Sequence, residues 1–287
     1  MSGIYDFDTL LVSTPGPPGA PGVLHVQLNR PNKRNAMNAK FWTEFRECFM
    51  RVAEDADVRA VVVSGVGNHL SAGLDLTDSS SMKEIMATKD VARRAFRLRK
   101  LALSMQESFT AVERCPQPVV AAVSGSCIGA GVDLICACDI RLCAKDAIFS
   151  IAEVKVGLAA DVGTLQRMPK IIGNSSLFRE LAYTGRTFGA EEAEKMGLVS
   201  HVCDNNTNGV VGAALDIAAE IAQQSPVAVF GTKRNITFSL DHGVASGLEY
   251  AASWSGAALQ TKDIELLWKN KLSPKEGKGE PPRFSKL

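Results

Sequence analysis

Three carboxylates lie among apolar residues in the middle of the chain. Asp133 follows a glycine-bearing turn, Glu153 follows the apolar run 148–151, and Asp161 lies within the segment 157–163. An apolar setting disfavours the ionised form of a carboxyl group, and proteins use such settings to obtain acids and bases that work near neutral pH. These residue types therefore predict proton-transfer chemistry at a site that the three carboxylates share.

A structural role is the alternative for two of these residues. The spacing of Asp133 and of Asp161 also suits a helix N-cap, in which the side chain accepts a hydrogen bond from the first turn. For either aspartate taken alone, the cap is the simpler interpretation. The cap and the proton-transfer group both stay open at this point.

Two segments, 61–76 and 119–134, share one design: an apolar strand, a glycine-bearing turn and the start of a helix. Such a turn leaves backbone N–H groups unpaired at a helix N-terminus, where they hold a negatively charged oxygen. Two convergent donors would form an oxyanion hole. Close packing of backbone against backbone explains the glycines equally well.

Two other glycine-turn motifs do not match. The dinucleotide-binding pattern needs a third glycine where this chain has Leu70 and Leu134. The nucleophile elbow of serine hydrolases needs a central serine, but the segment 125–129 has Cys127 at its centre.

The elements that position these residues follow from hydrophobic periodicity. Strands are predicted at 9–13, 23–29, 60–63, 118–123, 140–143 and 148–151, and helices at 41–52, 87–114, 213–224, 227–237 and 244–259. A short helix is also predicted from the end of the turn 129–131 to residue 136. Alternating strands and helices predict an α/β fold. Strand signals stop near residue 205, so we predict a core of residues 1–205, a helical region of residues 206–272 and a flexible tail of residues 273–287.

Composition narrows the class of protein. The chain has 287 residues, 46% of them hydrophobic, with 32 Lys and Arg against 31 Asp and Glu and a formal net charge of +1. The length and the hydrophobic content predict a large apolar core. The near-zero net charge predicts no nucleic-acid partner. The uncharged stretch 115–132 contains prolines and glycines that are costly in lipid, which predicts no membrane span.

The seven cysteines are scattered among apolar residues, which predicts reduced, buried thiols in an intracellular compartment. Cys136, Cys138 and Cys143 lie close in sequence but lack the spacing of a zinc site, so no metal is expected. The N-terminus has no export signal or mitochondrial presequence. The last three residues, Ser285-Lys286-Leu287, match the peroxisomal address, which predicts a peroxisomal import receptor as partner.

The chain resembles the crotonase, or enoyl-CoA hydratase/isomerase, superfamily over nearly its whole length. Five segments carry the resemblance: Leu28-Asn-Arg-Pro-Asn-Lys-Arg-Asn-Ala-Met37, Ser71-Ala-Gly-Leu-Asp75, Ile128-Gly-Ala-Gly-Val-Asp133, Thr184-Gly185 and Ala190-Glu-Glu-Ala-Glu-Lys-Met-Gly-Leu-Val199. It implies a spiral of β-β-α units, C-terminal helices that pack between subunits, and a homotrimer or a hexamer built from two trimers. Independently of this resemblance, Ser285-Lys286-Leu287 predicts a peroxisomal location, or a related organelle such as the glycosome.

The resemblance further implies an acyl-CoA thioester as substrate, with its carbonyl oxygen held by the backbone N–H groups of Leu74 and Ala130. The substrate-binding residues that it implies are Ser71, Ala72, Gly73, Leu74, Asp75 and Ala130. No cofactor is implied, because CoA is part of the substrate. Ala130 departs from the glycine common in the superfamily, so the turn must avoid a positive φ there.

Within the superfamily, hydratases carry glutamates at the positions of Asp133 and Glu153 and lack an acid at the position of Asp161. The three acids of this chain, Asp133, Glu153 and Asp161, resemble those of the Δ3,5-Δ2,4-dienoyl-CoA isomerases. This implies isomerisation of 3,5-dienoyl-CoA to 2,4-dienoyl-CoA in the β-oxidation of unsaturated fatty acids. Glu153 would be the base at C2, Asp161 the acid at C6, and Asp133 would assist, since one carboxylate cannot reach both ends of the diene.

Two alternatives remain open. A 2-enoyl-CoA hydratase or a Δ3-Δ2-enoyl-CoA isomerase would use the same scaffold and leave Asp161 without a catalytic task. A noncatalytic member that binds acyl-CoA or RNA is the other alternative, because a fold does not fix a function. The near-neutral charge and the three acids weigh against it.

Overall fold

The computed structural model describes residues 5–15, 22–78, 80–204, 209–272 and 284–286. The strands are β1 (Leu10–Ser13), β2 (Val23–Leu28), β3 (Ala60–Gly65), β4 (Val119–Val123), β5 (Ser126–Ile128), β6 (Ile140–Ala144), β7 (Ile148–Ser150), β8 (Phe188–Gly189) and β9 (His201–Cys203). The helices of the first 200 residues are α1 (Ala39–Glu54), α2 (Ser80–Met86), α3 (Val91–Arg114), α4 (Ala130–Ala137), α5 (Thr164–Ile171), α6 (Ser175–Thr184) and α7 (Ala190–Lys195). They are followed by α8 (Gly209–Ala222), α9 (Pro226–Ser239), α10 (Val244–Ala258) and α11 (Lys262–Leu272). Two short 3₁₀ helices cover Pro31–Lys33 and Glu153–Val156.

Two sheets organise the described residues. The larger has the order β1-β2-β3-β4-β6-β9, in which β1 is antiparallel to β2 and the other neighbours are parallel. The smaller has the order β5-β7-β8, with β5 parallel to β7 and β7 antiparallel to β8. All residues of β3 and β4 are buried, as continuous apolar runs predict for parallel strands covered on both faces.

The chain repeats a β-β-α unit along these sheets. β4, β5 and α4 form one such turn, and β6, β7 and α5 form the next, each giving one strand to each sheet. The turn that starts at β3 reaches the smaller sheet through a single bridge between Ser71 and Cys127. The predicted α/β class and the spiral of β-β-α units are confirmed.

The larger sheet is covered on both faces. Helix α1 carries Phe45 and Phe49 at helical spacing, and they pack with Phe109 of α3 against one face of the sheet. On the other face, Ala214 and Ala218 of α8 pack against the strands. Small residues on α8 allow the helix to approach the sheet closely.

Helix α8 follows the predicted boundary near residue 205 and packs on the core of the larger sheet. The division of the chain at residue 205 stays a prediction. Helix α9 is tied to the core by Lys233, whose buried ammonium donates to Asp139 Oδ2 at 2.8 Å and to the carbonyl of Gln117 at 3.0 Å.

The C-terminal residues also differ from the sequence-based expectation. Phe284 is 7% exposed, and its carbonyl accepts a hydrogen bond of 2.8 Å from Arg59 Nη2. Lys286 forms an ion pair with Asp57. A free tail is therefore wrong for residues 284–286, whereas residues 273–283 and Leu287 of the predicted tail and address lie outside the described residues.

Candidate active site

The two glycine-bearing turns meet side by side. Ser71 forms a parallel bridge with Cys127, Ser71 N donates to Ser126 O at 2.9 Å, and Ile128 N donates to Ser71 O at 3.1 Å. The turn after β3 thus runs along β5, the strand that leads into the second turn. This contact brings together two segments that are more than 50 positions apart.

Gly73 lies at the closest approach of the two turns. Its φ is +86°, and a Cβ added there would lie 2.6 Å from the carbonyl oxygen of Ile128 and 3.5 Å from the backbone nitrogen of Ala130. A side chain at this position would push the turns apart. Close backbone packing therefore accounts for Gly73 and brings the two turns together, and the oxyanion hole stays a prediction.

Leu74 and Ala130 each present a backbone N–H at this junction. Met37 N donates to Gly73 O at 2.7 Å and Asp75 N donates to Met37 O at 2.9 Å, so the bonds on either side of Leu74 leave its own N–H directed away from Met37. Ala130 is the first residue of α4, where an N–H has no acceptor within the helix. Both N–H groups thus have no acceptor among these backbone hydrogen bonds, which is compatible with the predicted oxyanion hole.

The departure at Ala130 is accommodated by its neighbour. Gly129 takes the positive φ of +52°, and Ala130 is helical. The turn therefore avoids a positive φ at Ala130, as expected from the sequence, and keeps the donor.

Two of the predicted substrate-binding side chains have structural partners instead. Ser71 Oγ donates to the carbonyl of Asn35 at 2.8 Å and accepts from Gly73 N at 3.0 Å. Asp75 accepts from the hydroxyl of Thr77 at 2.6 Å and pairs with Arg30 at 2.9 Å. The Thr77 hydrogen bond, with the Arg30 pair, lowers the pKa of Asp75 to about 2.

Within the segment 71–75, Ser71 and Asp75 therefore brace the loop. Gly73 and Leu74 supply backbone at the junction, and Ala72 N donates to Arg34 O at 2.8 Å. A contact between this segment and a substrate stays a prediction, and the geometry assigns it to backbone rather than to these two polar side chains.

Asn35 is a site-building residue that sequence reasoning missed. Its side chain accepts from Arg30 N at 2.9 Å and donates to the carbonyls of Val66 at 3.1 Å and His69 at 2.7 Å. It is buried and has a φ of +54°, a conformation that asparagine tolerates better than most residues. The only signal in the sequence is an asparagine within a polar turn.

Asp133 lies in the first turn of α4 and is fully buried. Its Oδ1 accepts a hydrogen bond of 2.5 Å from Thr164 N, the first residue of α5, and its Oδ2 has no hydrogen-bond partner among the described residues. Burial raises the pKa of Asp133, and the hydrogen bond from Thr164 partly opposes that rise. The side chain thus caps a helix other than its own.

Glu153 opens the 3₁₀ helix that follows β7. Its Oε2 is buried and has no hydrogen-bond partner among the described residues, and its Oε1 lies against Gly129, where an added Cβ would be 3.3 Å away. Burial and then the negative charge of Asp133 raise the pKa of Glu153 to about 7. Such a carboxylate accepts and returns a proton near neutral pH.

Asp161 lies in the loop before α5, with its side chain exposed in the single chain. Its charge contributes to the raised pKa of both Asp133 and Glu153, so Asp161 acts electrostatically on both carboxyl groups. The N-cap of α5 is Gly163, which makes the N-cap interpretation of Asp161 wrong. Its carboxyl has no hydrogen-bond partner in the described part of the chain.

Burial raises the pKa of the cysteine thiols, which disfavours their reactive, ionised form. All seven are free, and burial raises the pKa of the Cys127 thiol well above its usual range. In the described residues no cluster of three or more His, Cys, Asp or Glu side chains is placed to hold a metal ion. Over the same residues, no helix combines the length and apolar character needed to cross a membrane.

Comparison with known proteins decides the family. The model of the enoyl-CoA hydratase/isomerase family matches residues 19–269. The chain belongs to the enoyl-CoA hydratase/isomerase family. This confirms the resemblance found in the sequence.

Several members of the family are close in sequence. The chain is 57% identical over 244 residues to the human protein named Delta(3,5)-Delta(2,4)-dienoyl-CoA isomerase, mitochondrial, with 84% of this chain and 74% of that protein covered. It is 41% identical over 269 residues to the Arabidopsis thaliana protein named Delta(3,5)-Delta(2,4)-dienoyl-CoA isomerase, peroxisomal, with 92% and 93% covered. A solved enoyl-CoA hydratase from Bacillus anthracis superposes with a TM-score of 0.83 at 26% identity, covering 97% of this chain and 99% of that one.

Proposed function

We propose that this protein isomerises 3,5-dienoyl-CoA to 2,4-dienoyl-CoA in the β-oxidation of unsaturated fatty acids. The observation that carries the proposal is the grouping of Asp133, Glu153 and Asp161 beside the paired glycine turns, with the pKa of Glu153 raised to about 7. Relatives with the isomerase name at 57% and 41% identity support it. CoA enters as part of the substrate, and the reaction needs no further cofactor.

The chemistry divides between two carboxyl groups. Glu153 starts ionised and takes a proton from C2, and the C2–H electron pair forms a dienolate whose negative charge rests on the thioester oxygen. When this electron pair returns to the carbon chain, it forms the C2=C3 bond. The C3=C4 electrons move to C4=C5, and the former C5=C6 pair takes a proton at C6 from Asp161. No atom is gained or lost by the substrate, and the two carboxyl groups exchange their protonation states.

The thioester oxygen gains negative charge in the intermediate. The N–H groups of Leu74 and Ala130 are placed to hold it, and fixed donors of this kind stabilise such an oxygen without reorganisation. Asp133 acts through Glu153, because its negative charge raises the pKa of the base. A base with a pKa near the working pH combines adequate strength with adequate ionisation.

Hydration of a 2-enoyl-CoA is disfavoured by the same geometry. A hydratase needs two carboxylates that orient a water molecule, and Asp133 Oδ1 is already engaged by Thr164 N. Asp161 would also be without a task, as it would in a Δ3-Δ2-enoyl-CoA isomerase. Ultraviolet absorbance with 3,5-dienoyl-CoA as substrate distinguishes the proposed isomerase from these two alternatives. The absorbance changes on isomerisation because the 2,4-product is conjugated to the thioester. Turnover of 2-enoyl-CoA alone would contradict the proposal.

We also propose that the protein assembles as a homotrimer or as a hexamer of two trimers. Helix α10 has no buried residue in the single chain, and its Val244 and Leu248 side chains are 81% and 66% exposed. Exposed apolar faces of this kind mark contact surfaces. A second copy of the chain is the occupant that the family resemblance implies.

We further propose a peroxisomal location. The support is the terminal Ser285-Lys286-Leu287 sequence and the peroxisomal name of the Arabidopsis relative, whereas the human relative is named mitochondrial. The import receptor would have to compete with the contacts of Phe284 and Lys286 to the core.

A further inference from the structure

One polar face of α3 runs along the segment that carries Asp161. Gln106, Thr110 and Glu113 are spaced four and three residues apart, so they share one face over two helical turns, about 10 Å. All three contact the segment 161–167. The sequence separation of more than 50 residues hides this pairing from sequence patterns.

The first contact is made directly to the backbone of Asp161. Gln106 Nε2 donates to the carbonyl oxygen of Asp161 at 2.7 Å. Because no described residue hydrogen-bonds the Asp161 carboxyl, its position depends on how the backbone of this loop is held.

The second contact fixes the far end of the same segment. Arg167 Nε and Nη2 donate to the two carboxylate oxygens of Glu113 at 3.2 and 3.0 Å, and Nη2 also donates to Thr110 Oγ1 at 3.2 Å. The guanidinium lies against the turn at Gly163, whose φ is +140° and where a Cβ would collide with Nη1. A paired, two-point contact of this kind fixes orientation as well as distance.

We propose that Gln106 is a positioning residue for Asp161, with the Arg167–Glu113 pair as a second anchor of the same loop. The inference rests on the proposed function, in which Asp161 delivers the proton to C6 while Glu153 acts at C2. Glu153 is held by a different element, the 3₁₀ helix after β7. Loosening the Asp161 loop therefore slows the second proton transfer and leaves the first intact.

The test replaces Gln106 with methionine, which keeps the length of the side chain and removes the donor. Gln224→Met is the matched control, because Gln224 also donates its amide to a backbone carbonyl, that of Glu220 at 3.2 Å, on a helix outside the site. A displacement near 1 Å costs up to about a hundredfold in rate. We expect kcat for 3,5-dienoyl-CoA to fall tenfold or more in Gln106→Met, with KM and the melting temperature close to those of Gln224→Met.

A second readout separates positioning from general damage. In D2O, the intermediate either returns to C2, which places deuterium in recovered substrate, or goes forward to product. If Asp161 is misplaced, the ratio of C2 deuteration to product formation rises above that of the wild-type enzyme. An unchanged ratio, or an unchanged kcat, overturns the proposal.

Further measurements distinguish failure of the positioning role of Gln106 from failure of the proposed isomerase function. If Gln106→Met does not fold, Gln106→Asn replaces it. The asparagine side chain keeps the amide but is one methylene shorter, so it does not reach the Asp161 carbonyl, and the same rise in the ratio of C2 deuteration to product formation is expected. If the wild-type enzyme itself does not isomerise 3,5-dienoyl-CoA, the proposed function fails. If wild type isomerises and both Gln106 variants match it, only the positioning role fails.

Discussion

The pKa of the proposed base, Glu153, is raised by two effects that act in the same direction. Glu153 is half-buried with its Oε2 fully buried, and the negative charge of Asp133 adds to the effect of burial, so its pKa is raised to about 7. Asp133 is itself held by a hydrogen bond from Thr164 N. In the proposed mechanism only Glu153 of this pair exchanges a proton with the substrate.

This arrangement predicts the pH dependence of activity. Because Glu153 must be ionised to take the C2 proton, kcat/KM should fall about tenfold per pH unit below a pH of about 7. Asp133→Asn keeps an acceptor for Thr164 N but removes the charge that raises the pKa of Glu153. The acidic limb of the profile should therefore move to lower pH in this variant, as measured by initial rates between pH 5 and 9. A limb that stays in place would show that Asp133 does not tune the base.

At the scale of elements, the site depends on two turns that only glycine allows to touch. Gly73 and Gly129 both have positive φ, and Gly73 has no room for a Cβ beside Ile128 O. The longer strands that precede these turns, β3 and β4, are buried and mostly apolar. These two strands are visible in the sequence, whereas the close approach of the turns is a property of the tertiary fold.

Gly73→Ala should therefore separate the turns and disable the site. We expect at least a hundredfold loss in kcat/KM, the scale reported for removal of one oxyanion donor. Gly67→Ala is the matched control, because Gly67 has a similar φ of +82° but its nearest neighbour to a new Cβ, Pro31, is 3.7 Å away. Comparable melting temperatures with unequal activities would support the account, and equal activities would contradict it.

Sequence patterns predicted the elements better than their junctions. The apolar run 60–63 became β3. The predicted helix 87–114 became α3, which starts at Val91 because Asp90 caps it, and α2 (Ser80–Met86) was not predicted. The three-residue strand β5 was missed because it is too short to show a period. Among site residues, the acids were visible from their apolar neighbours. Asn35 was not, because its bonds reach residues more than 30 positions away.

At the scale of the whole molecule, the proposed assembly depends on the helices that follow α8. Helix α9 is fixed to the core by the ion pair between the buried Lys233 and Asp139. Helix α10 follows it and has no buried residue in the single chain. Light scattering of the purified chain should report a trimer or hexamer. A monomer at micromolar concentration would contradict the proposed assembly.

The C-terminal sequence Ser285-Lys286-Leu287 predicts import into peroxisomes. A fusion with a fluorescent protein at the N-terminus should enter peroxisomes, and removal of Leu287 should leave it in the cytosol. Asp57→Asn removes the ion pair of Lys286 without changing the address, so it should still be imported. Import that survives loss of Leu287 would defeat the proposal, as would mitochondrial accumulation of the intact fusion.

The division of labour between Glu153 and Asp161 is tested most directly by turnover of 3,5-dienoyl-CoA in Asp161→Asn, followed by ultraviolet absorbance. Loss of a general acid or base costs about a hundredfold or more. Because Asp161 caps no helix, the same variant should keep the wild-type melting temperature. We predict a fall in kcat of at least a hundredfold, with Glu153→Gln at least as inactive. Isomerisation at the wild-type rate in Asp161→Asn, together with an inactive Glu153→Gln, would instead show that a single base carries the reaction.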